Sequence, residues 1–275
     1  MPLPPGARVM MAGRYRVLPP PDYTTAYNAV IAQNPFGWWR ASEISGLTVT
    51  GLIAGGGNMT LNESATITTD PTNWGSVPVM TVATSSLTMV TTLATSSWDF
   101  MSNGTGATLI CPVVTTSWSI GSARIMFCST AGGSSPNVRG AMYAYYKGQA
   151  DGRFSYAYMR GGDAAGAEKQ YSATNNYTMP TRMGLYMQYI GTTLKHNNAP
   201  AGATVGIAQP AATTANCQPR LLNGPPAMGL QAGCQTFPWG ETIIFKNTTA
   251  IATLLSVYND YLWARTGINW GISAI

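Results

Sequence analysis

The chain has 275 residues, of which 45% are hydrophobic and 9% charged, with Lys+Arg 15 against Asp+Glu 10. Ordinary soluble domains are about a quarter charged, so the polar surface must be built from Thr, Ser, Asn, Gln and Gly. The hydrophobic content excludes charge-driven disorder. The scarcity of Glu and Lys excludes a long charged helix or coiled coil, and no apolar run reaches the roughly 18 residues of a membrane-spanning helix.

Residues 1–22 form a distinct segment. Pro2, Pro4, Pro5, Pro19, Pro20 and Pro21 fix φ and remove donors, so an extended, polyproline-like arm is expected rather than a strand. Arg8, Arg14 and Arg16, with Tyr15 between them, make the arm basic; with Arg40, and with Asp22 as the opposing acid, they hold most of the net positive charge. The segment has no continuous apolar stretch, so it does not read as a secretory leader, and folding in a cytoplasm is expected. The Asn-x-Ser/Thr sequons at Asn58, Asn62, Asn103, Asn176 and Asn247 then carry no weight.

Asp22 is placed to cap a short helix with Tyr23, Tyr27, Val30 and Ile31 on one face, stopped by Asn34-Pro35. From Phe36 to about Phe245 the pattern turns to strands. Runs at Phe36–Arg40, Val77–Thr81, Thr108–Val114, Arg124–Cys128, Ala141–Tyr146, Phe154–Met159, Arg182–Tyr189 and Thr242–Phe245 are separated by Gly, Asn, Pro and Ser, the spacing of an antiparallel sandwich. Such sandwiches run to about 250 residues as one domain. Trp38 and Trp39 are strand neighbours that point to opposite faces, so at most one is expected in the core.

The strongest hairpin surrounds Asp151-Gly152, whose turn chemistry joins two aromatic strands. Tyr143 and Tyr145 share a face, as do Tyr156 and Tyr158. Core packing, a subunit contact and a sugar-binding platform are three uses for these rings. Residues 197–233, rich in Pro, Ala and Gly, read as loop with at most one short strand. A closing helix starts at a Thr248 or Thr249 cap, carries Ile251, Leu254, Leu255, Tyr258 and Leu262 as its apolar stripe, and ends at Gly267. The apolar residues that follow, through Ile275, either pack on the domain or dock elsewhere.

Chemistry-bearing patterns are sparse. Glu43, Glu63, Glu168 and Glu241 are too scattered to supply the paired carboxylates of glycan hydrolysis. Glu241 opens the last strand, where a structural bond to backbone or an arginine is expected. His196, beside Lys195 and Asn197, reads as a surface-loop residue, and a lone histidine offers no Ser-His-Asp arrangement. Gly55-Gly56-Gly57 lacks the Lys-Ser/Thr of a phosphate loop. Cys111, Cys128, Cys217 and Cys234 form no zinc spacing and are expected as buried thiols. Lys147, Lys169, Lys195 and Lys246 are scattered, against a nucleic-acid stripe.

Three segments resemble a known family: Tyr27 through Trp38-Trp39-Arg40, Trp98 through Ile110, and Gly240-Glu241-Thr242-Ile243-Ile244-Phe245 with the helix through Tyr261-Leu262 to Thr266-Gly267-Ile268. In order they resemble the concanavalin A-like, laminin-G-like domains found in many bacteriophage virion proteins. The family's Asp-x-Ser-Gly element lacks its aspartate here, at Ser45-Gly46-Leu47 and Gly55-Gly56-Gly57-Asn58, so no calcium site is carried over.

The resemblance implies a mainly β chain: a concanavalin A-like antiparallel jelly-roll β-sandwich with a short N-terminal helix, a C-terminal helix and an extended N-terminal arm. Its divisions are the arm at 1–22, the sandwich at 23–268 and an apolar tail at 269–275. It further implies a structural virion protein, a head decoration or minor capsid protein made in the bacterial host cytoplasm and located on the virion. Arg8, Arg14, Tyr15 and Arg16 would dock the arm on the major capsid protein or other virion proteins, with a homo-oligomer, such as a trimer, as the assembly. The alternative is a glycan-binding adhesin module of a phage tail or fibre, with host surface glycan as partner and Tyr143, Tyr145, Tyr156 and Tyr158 as its rings. No catalytic residue, metal, cofactor, nucleic acid or membrane is expected in either case.

Overall fold

The computed structural model of the chain describes residues 19–82, 87–94, 97–98, 100, 106–114, 123–130, 142–148, 153–162, 168–178, 182–190, 193–196, 218–222, 237–246 and 249–272. Between 123 and 196 the description is of strand backbone and pairing, with side chains only at Arg182, Tyr186 and Gln188. Arg8, Arg14, Tyr15, Arg16 and the Asp151-Gly152 turn lie outside the described residues.

The first helix, α1 (Tyr23–Ile31), begins where the Asp22 side chain accepts the Thr25 N–H at 2.9 Å, the expected cap. Ala26 and Val30 are its buried residues, while Tyr23 is exposed. Asn34 at φ 56° turns the chain and Pro35 opens β1 (Pro35–Ser45). A two-residue turn with Gly46 at φ 59° leads into β2 (Thr48–Gly51). There follow β3 (Met59–Leu61), β4 (Thr66–Thr69), the short helix α2 (Pro71–Trp74), β5 (Pro78–Val82), β6 (Met89–Thr91) and β7 (Ala107–Val114). Next come β8 (Ala123–Thr130), β9 (Met142–Gly148), β10 (Arg153–Gly162), β11 (Glu168–Thr178), β12 (Arg182–Ile190) and β13 (Thr193–His196). The chain ends with β14 (Gln218–Leu221), β15 (Phe237–Trp239), β16 (Glu241–Phe245) and α3 (Ile251–Thr266).

Among the described residues the strands pair antiparallel, in a 13-stranded sheet of order β11-β10-β9-β8-β14-β6-β3-β2-β1-β16-β7-β12-β13 beside a 3-stranded sheet β15-β5-β4. A twisted sheet of more than about ten strands curls, and this one curls into the expected mainly β, antiparallel sandwich of the jelly-roll kind. Every residue of β7 and β16 is buried, as befits central strands covered on both faces.

Two cores follow from the period of two. Inside the sandwich, Trp39, Ile244, Leu109, Cys111 and Val113 pack with Met59, Leu61, Met89, Trp98 and Trp239. On the other face, Trp38, Ile243, Ile110 and Tyr186 form one register row across β1, β16, β7 and β12. That row packs beneath α1 and α3, against Ala26, Val30, Leu254, Leu255, Tyr258, Tyr261 and Leu262. Trp38 and Trp39 therefore point opposite ways yet are both 0% exposed. The expectation that only one is core fails because the helices roof the second face.

Two further expectations change. The closing helix starts at Ala250 with no side-chain cap; instead Gln188 Nε2 bonds Thr108 Oγ1 at 2.8 Å and the Thr249 carbonyl at 3.1 Å, tying the chain before α3 to the sheet. His196 ends strand β13 opposite Met187 rather than lying in a turn, because Leu194 and Lys195 continue the pairing with β12. Of the two fates expected for the apolar residues after α3, the described ones pack on the domain: Trp270 meets Trp74 edge-on at 4.7 Å and Ile272 is buried in the helix-side core. Residues 273–275 lie outside the described residues. As expected, Gly267 (φ 72°) stops α3 in the left-handed conformation, its N–H donating to the Trp263 carbonyl at 2.9 Å.

Candidate functional site

One rung beyond Trp38 and Ile243, the register sets Arg40 opposite Glu241, on the sheet face that α1 and α3 cover. Burying a carboxylate is costly unless every lone pair finds a donor, and Glu241, 0% exposed, is surrounded by them. Oε1 accepts the Tyr258 hydroxyl at 2.5 Å and the Trp38 indole N–H at 3.3 Å. Oε2 accepts Tyr261 at 3.2 Å and the guanidinium of Arg265, whose other terminal nitrogen donates to Ser42 Oγ at 3.2 Å. The Nε of Arg40 stands 3.9 Å from Oε2.

Arg40 is held by rings more than by acceptors. Its guanidinium carbon lies 4.4 Å from the Trp38 ring centre, 5.3 Å from Tyr261 and 5.6 Å from Tyr27, and NH1 donates to the Tyr23 hydroxyl at 3.4 Å. Its Nε and NH2 have no hydrogen-bond acceptor, so ring attraction substitutes for them. Burial pushes the Tyr258 and Tyr261 phenols well above the usual tyrosine range. Burial, then the like charge of Arg40, pushes Arg265 down to about 9, which leaves it cationic at neutral pH. With both carboxylate oxygens enclosed, the cluster can lock helix to sheet but offers no group to a substrate.

The expectation for Glu241 thus holds in kind, and the structure supplies the arginine. Tyr258, Tyr261 and Arg265 were legible as partners of one another: their spacing of three and four puts them on one helix face. What sequence spacing could not reveal was that this face meets Glu241.

Elsewhere, burial pushes the Cys111 thiol up to about 12, opposed by its bond to Thr242, so it remains a protonated, unreactive free thiol. Among the described residues, no group of three or more His, Cys, Asp or Glu side chains is placed to hold a metal ion. Among them, too, no helix is long and apolar enough to cross a membrane.

The four tyrosines singled out by sequence lie on β9 and β10, and their expected hairpin strands pair. Tyr145 stands directly opposite Tyr158, Tyr143 opposite Arg160, and Tyr156 opposite Lys147. Residues paired across strands share a sheet face, so all four tyrosines, Lys147 and Arg160 are placed on one face. β11 extends the same rungs with Thr174, Ser172 and Gln170. The central rungs of the other face read Ala144, Met159, Tyr171 and Tyr146, Ala157, Ala173 across β9 to β11. The first face thus carries four tyrosines, two cations, hydroxyls and an amide across β9 to β11, with Ile125 and Cys128 of β8 beside them; the other is more apolar at its centre, with Arg124 and Lys169 at its flanks. Lys147 and Arg160 were not singled out by sequence, although the period of two gives each the face of its strand's tyrosines.

No protein-family model matches the chain, and no curated protein matches it. Solved structures do. The binding domain of Paraclostridial Mosquitocidal Protein 1 aligns with TM-score 0.51 at 10% identity, over 84% of this chain and 55% of its own. The botulinum neurotoxin serotype C1 binding domain aligns with TM-score 0.50 at 9% identity, over 84% and 53%. Trypanosoma rangeli sialidase, in complex with sialic acid, aligns with TM-score 0.54 at 11% identity, over 82% and 33%. The chain thus spans about half the length of the toxin binding domains and a third of the sialidase. At such identities the likeness is one of fold: the chain is a β-sandwich, jelly-roll domain similar to part of each.

Proposed function

We propose that the chain is a non-catalytic glycan-binding module whose binding face is the tyrosine-bearing side of β8–β11. The observation that carries this reading is the register that sets Tyr145 opposite Tyr158, with Tyr143 and Tyr156 on the adjoining rungs of the same face. Tyrosine offers a flat apolar ring and a polar tip, suited to a sugar's C–H face and hydroxyls, and β11 adds hydroxyl and amide residues along the rungs. The fold neighbours support the same kind of module, since two are binding domains and one was captured with sialic acid. Affinity electrophoresis through polysaccharide-loaded gels tests it. Wild-type chain is expected to be retarded, and Tyr145→Ala or Tyr158→Ala to weaken binding roughly thirtyfold, the loss of one aromatic hot spot. No retention on any of a broad polysaccharide panel would overturn the reading.

A second proposal concerns setting: the module is displayed on a bacteriophage particle, with Arg8, Arg14, Tyr15 and Arg16 docking the arm on a capsid or tail protein. What supports it is the resemblance of the Tyr27–Arg40, Trp98–Ile110 and Gly240–Ile268 segments to domains of bacteriophage virion proteins, together with the basic, Pro-rich arm. Deleting residues 2–21 should remove the protein from purified particles while the sandwich stays folded; unchanged occupancy would refute docking through the arm.

A further inference from the structure

The tyrosine face carries charge in a definite pattern. Across β9 and β10 its rungs run Lys147–Tyr156, Tyr145–Tyr158 and Tyr143–Arg160. A cation therefore stands at each end, on opposite strands, with the tyrosine pair between. Four strand residues separate the outer rungs, about 13 Å at roughly 3.3 Å per residue, a span suited to an oligosaccharide rather than a single sugar. Glu168, opposite Gly162 on β11, is diagonal to Arg160, whereas Lys147 has Ala123 on its other flank. One acid against two cations leaves this face net positive.

We propose that the face takes acidic glycans, chains whose sugars carry carboxylates, with Tyr145 and Tyr158 engaging sugar rings and Arg160 and Lys147 engaging the carboxylates. Arginine presents a planar fork that matches a carboxylate in bidentate fashion, and lysine adds a point charge. Neither serves a neutral chain, whose recognition needs only rings and neutral hydrogen-bonding groups. This inference rests on the glycan-binding reading and names the substrate class for the same face.

The test compares polysialic acid and polygalacturonate with neutral dextran and the sulfated polymer dextran sulfate. Wild type, Arg160→Gln, Lys147→Gln and Arg160→Lys are measured at low and high salt, with melting temperature as the check on folding. Wild type should prefer the carboxylated polymers and lose affinity as salt screens the pairs. Arg160→Gln should weaken carboxylate binding about tenfold, the loss of one charge-assisted contact. Lys147→Gln should weaken it less, and Arg160→Lys should restore part of the loss. Equal binding of dextran, unmoved by Arg160→Gln and by salt, would overturn the acidic preference and leave glycan binding standing. Binding of dextran sulfate alone would overturn the carboxylate assignment. Retention on none of the polymers would remove the glycan reading itself. Should Arg160→Gln fail to fold, Lys147→Gln and the salt series decide: salt-insensitive carboxylate binding refutes the proposal.

Discussion

The Glu241 cluster and the β8–β11 strands both set tyrosines beside cations, but on opposite terms. In the cluster, two arginines, two tyrosines and a tryptophan converge on one carboxylate that is 0% exposed. Its groups arrive from β1, β16 and α3, and both carboxylate oxygens are satisfied, while Arg40 is held chiefly by rings. On β9 and β10 the tyrosines and cations are instead spread along successive rungs by strand pairing. The first arrangement consumes its polar groups to hold a helix on a sheet, while the second lays them out in a row. The stronger sequence motif, Glu-Thr-Ile-Ile with the tyrosine-leucine helix, therefore marks the lock. The proposed function is written in a fainter signal, the alternation of two strands.

Several changes would break or sharpen this contrast, beginning with the largest. Glu241→Ala leaves two buried guanidiniums without their carboxylate and should cost about 3–5 kcal/mol, read as a lower urea midpoint. Glycan retention per folded molecule should not change; if it falls, the two regions are not separable.

Alkaline pH attacks the same cluster without mutation. Burial keeps the Tyr258 and Tyr261 phenols protonated above the usual range, so on raising the pH the unfolded chain loses those protons first. Each phenol's contribution is then fully present below about pH 10 and falls above it by about 1.4 kcal/mol per pH unit, whereas Arg265, held down to about 9, loses its proton first in the folded chain and contributes in the opposite direction from there. The phenol's share is read as a difference: between pH 8 and pH 11 wild type should lose stability relative to Tyr258→Phe, and parallel midpoints would refute it.

Gly240 is a narrower test. It lies just before Glu241, and a Cβ there would come within 2.2 Å of the Trp74 ring, so Gly240→Ala should cost about 1–3 kcal/mol through overpacking. The smallest effect belongs to the other region: Tyr145→Ala should change stability by no more than about 1 kcal/mol, the scale of one cross-strand pair, while removing most glycan retention. A large stability loss with retention intact would mark Tyr145 as a packing residue and sink the functional contrast.

Long, patterned elements were legible, except β11 (Glu168–Thr178), whose polar residues show no apolar alternation. Asp22 announced α1, Gly267 announced the end of α3, and the eight strands expected between Phe36 and Phe245 all form. Short strands such as Thr48–Gly51, Met59–Leu61 and Thr66–Thr69 escaped notice because three or four residues, mostly Thr and Gly, carry no readable period. Their pairing is supplied by neighbours already in place. The binding-face candidates were legible in part: the period places Lys147 and Arg160 with their strands' tyrosines, but only the register shows that the two strands present these residues on one common face.

By itself the sequence determined a charge-poor, Thr- and Gly-rich antiparallel sandwich with a helix near each end, because alternation, caps and turn residues act over a few neighbours along the chain. It also determined that Trp38 and Trp39 part company, since the period of two is a property of the strand. Only the tertiary structure decided that both are buried, that Glu241 meets Arg265 and Arg40, and that Tyr145 faces Tyr158. The first two outcomes depend on which surfaces meet after the chain has curled, and a pairing such as Arg40 with Glu241 leaves no local trace in the sequence; the hairpin of Tyr145 and Tyr158 was legible, and the structure fixed its register.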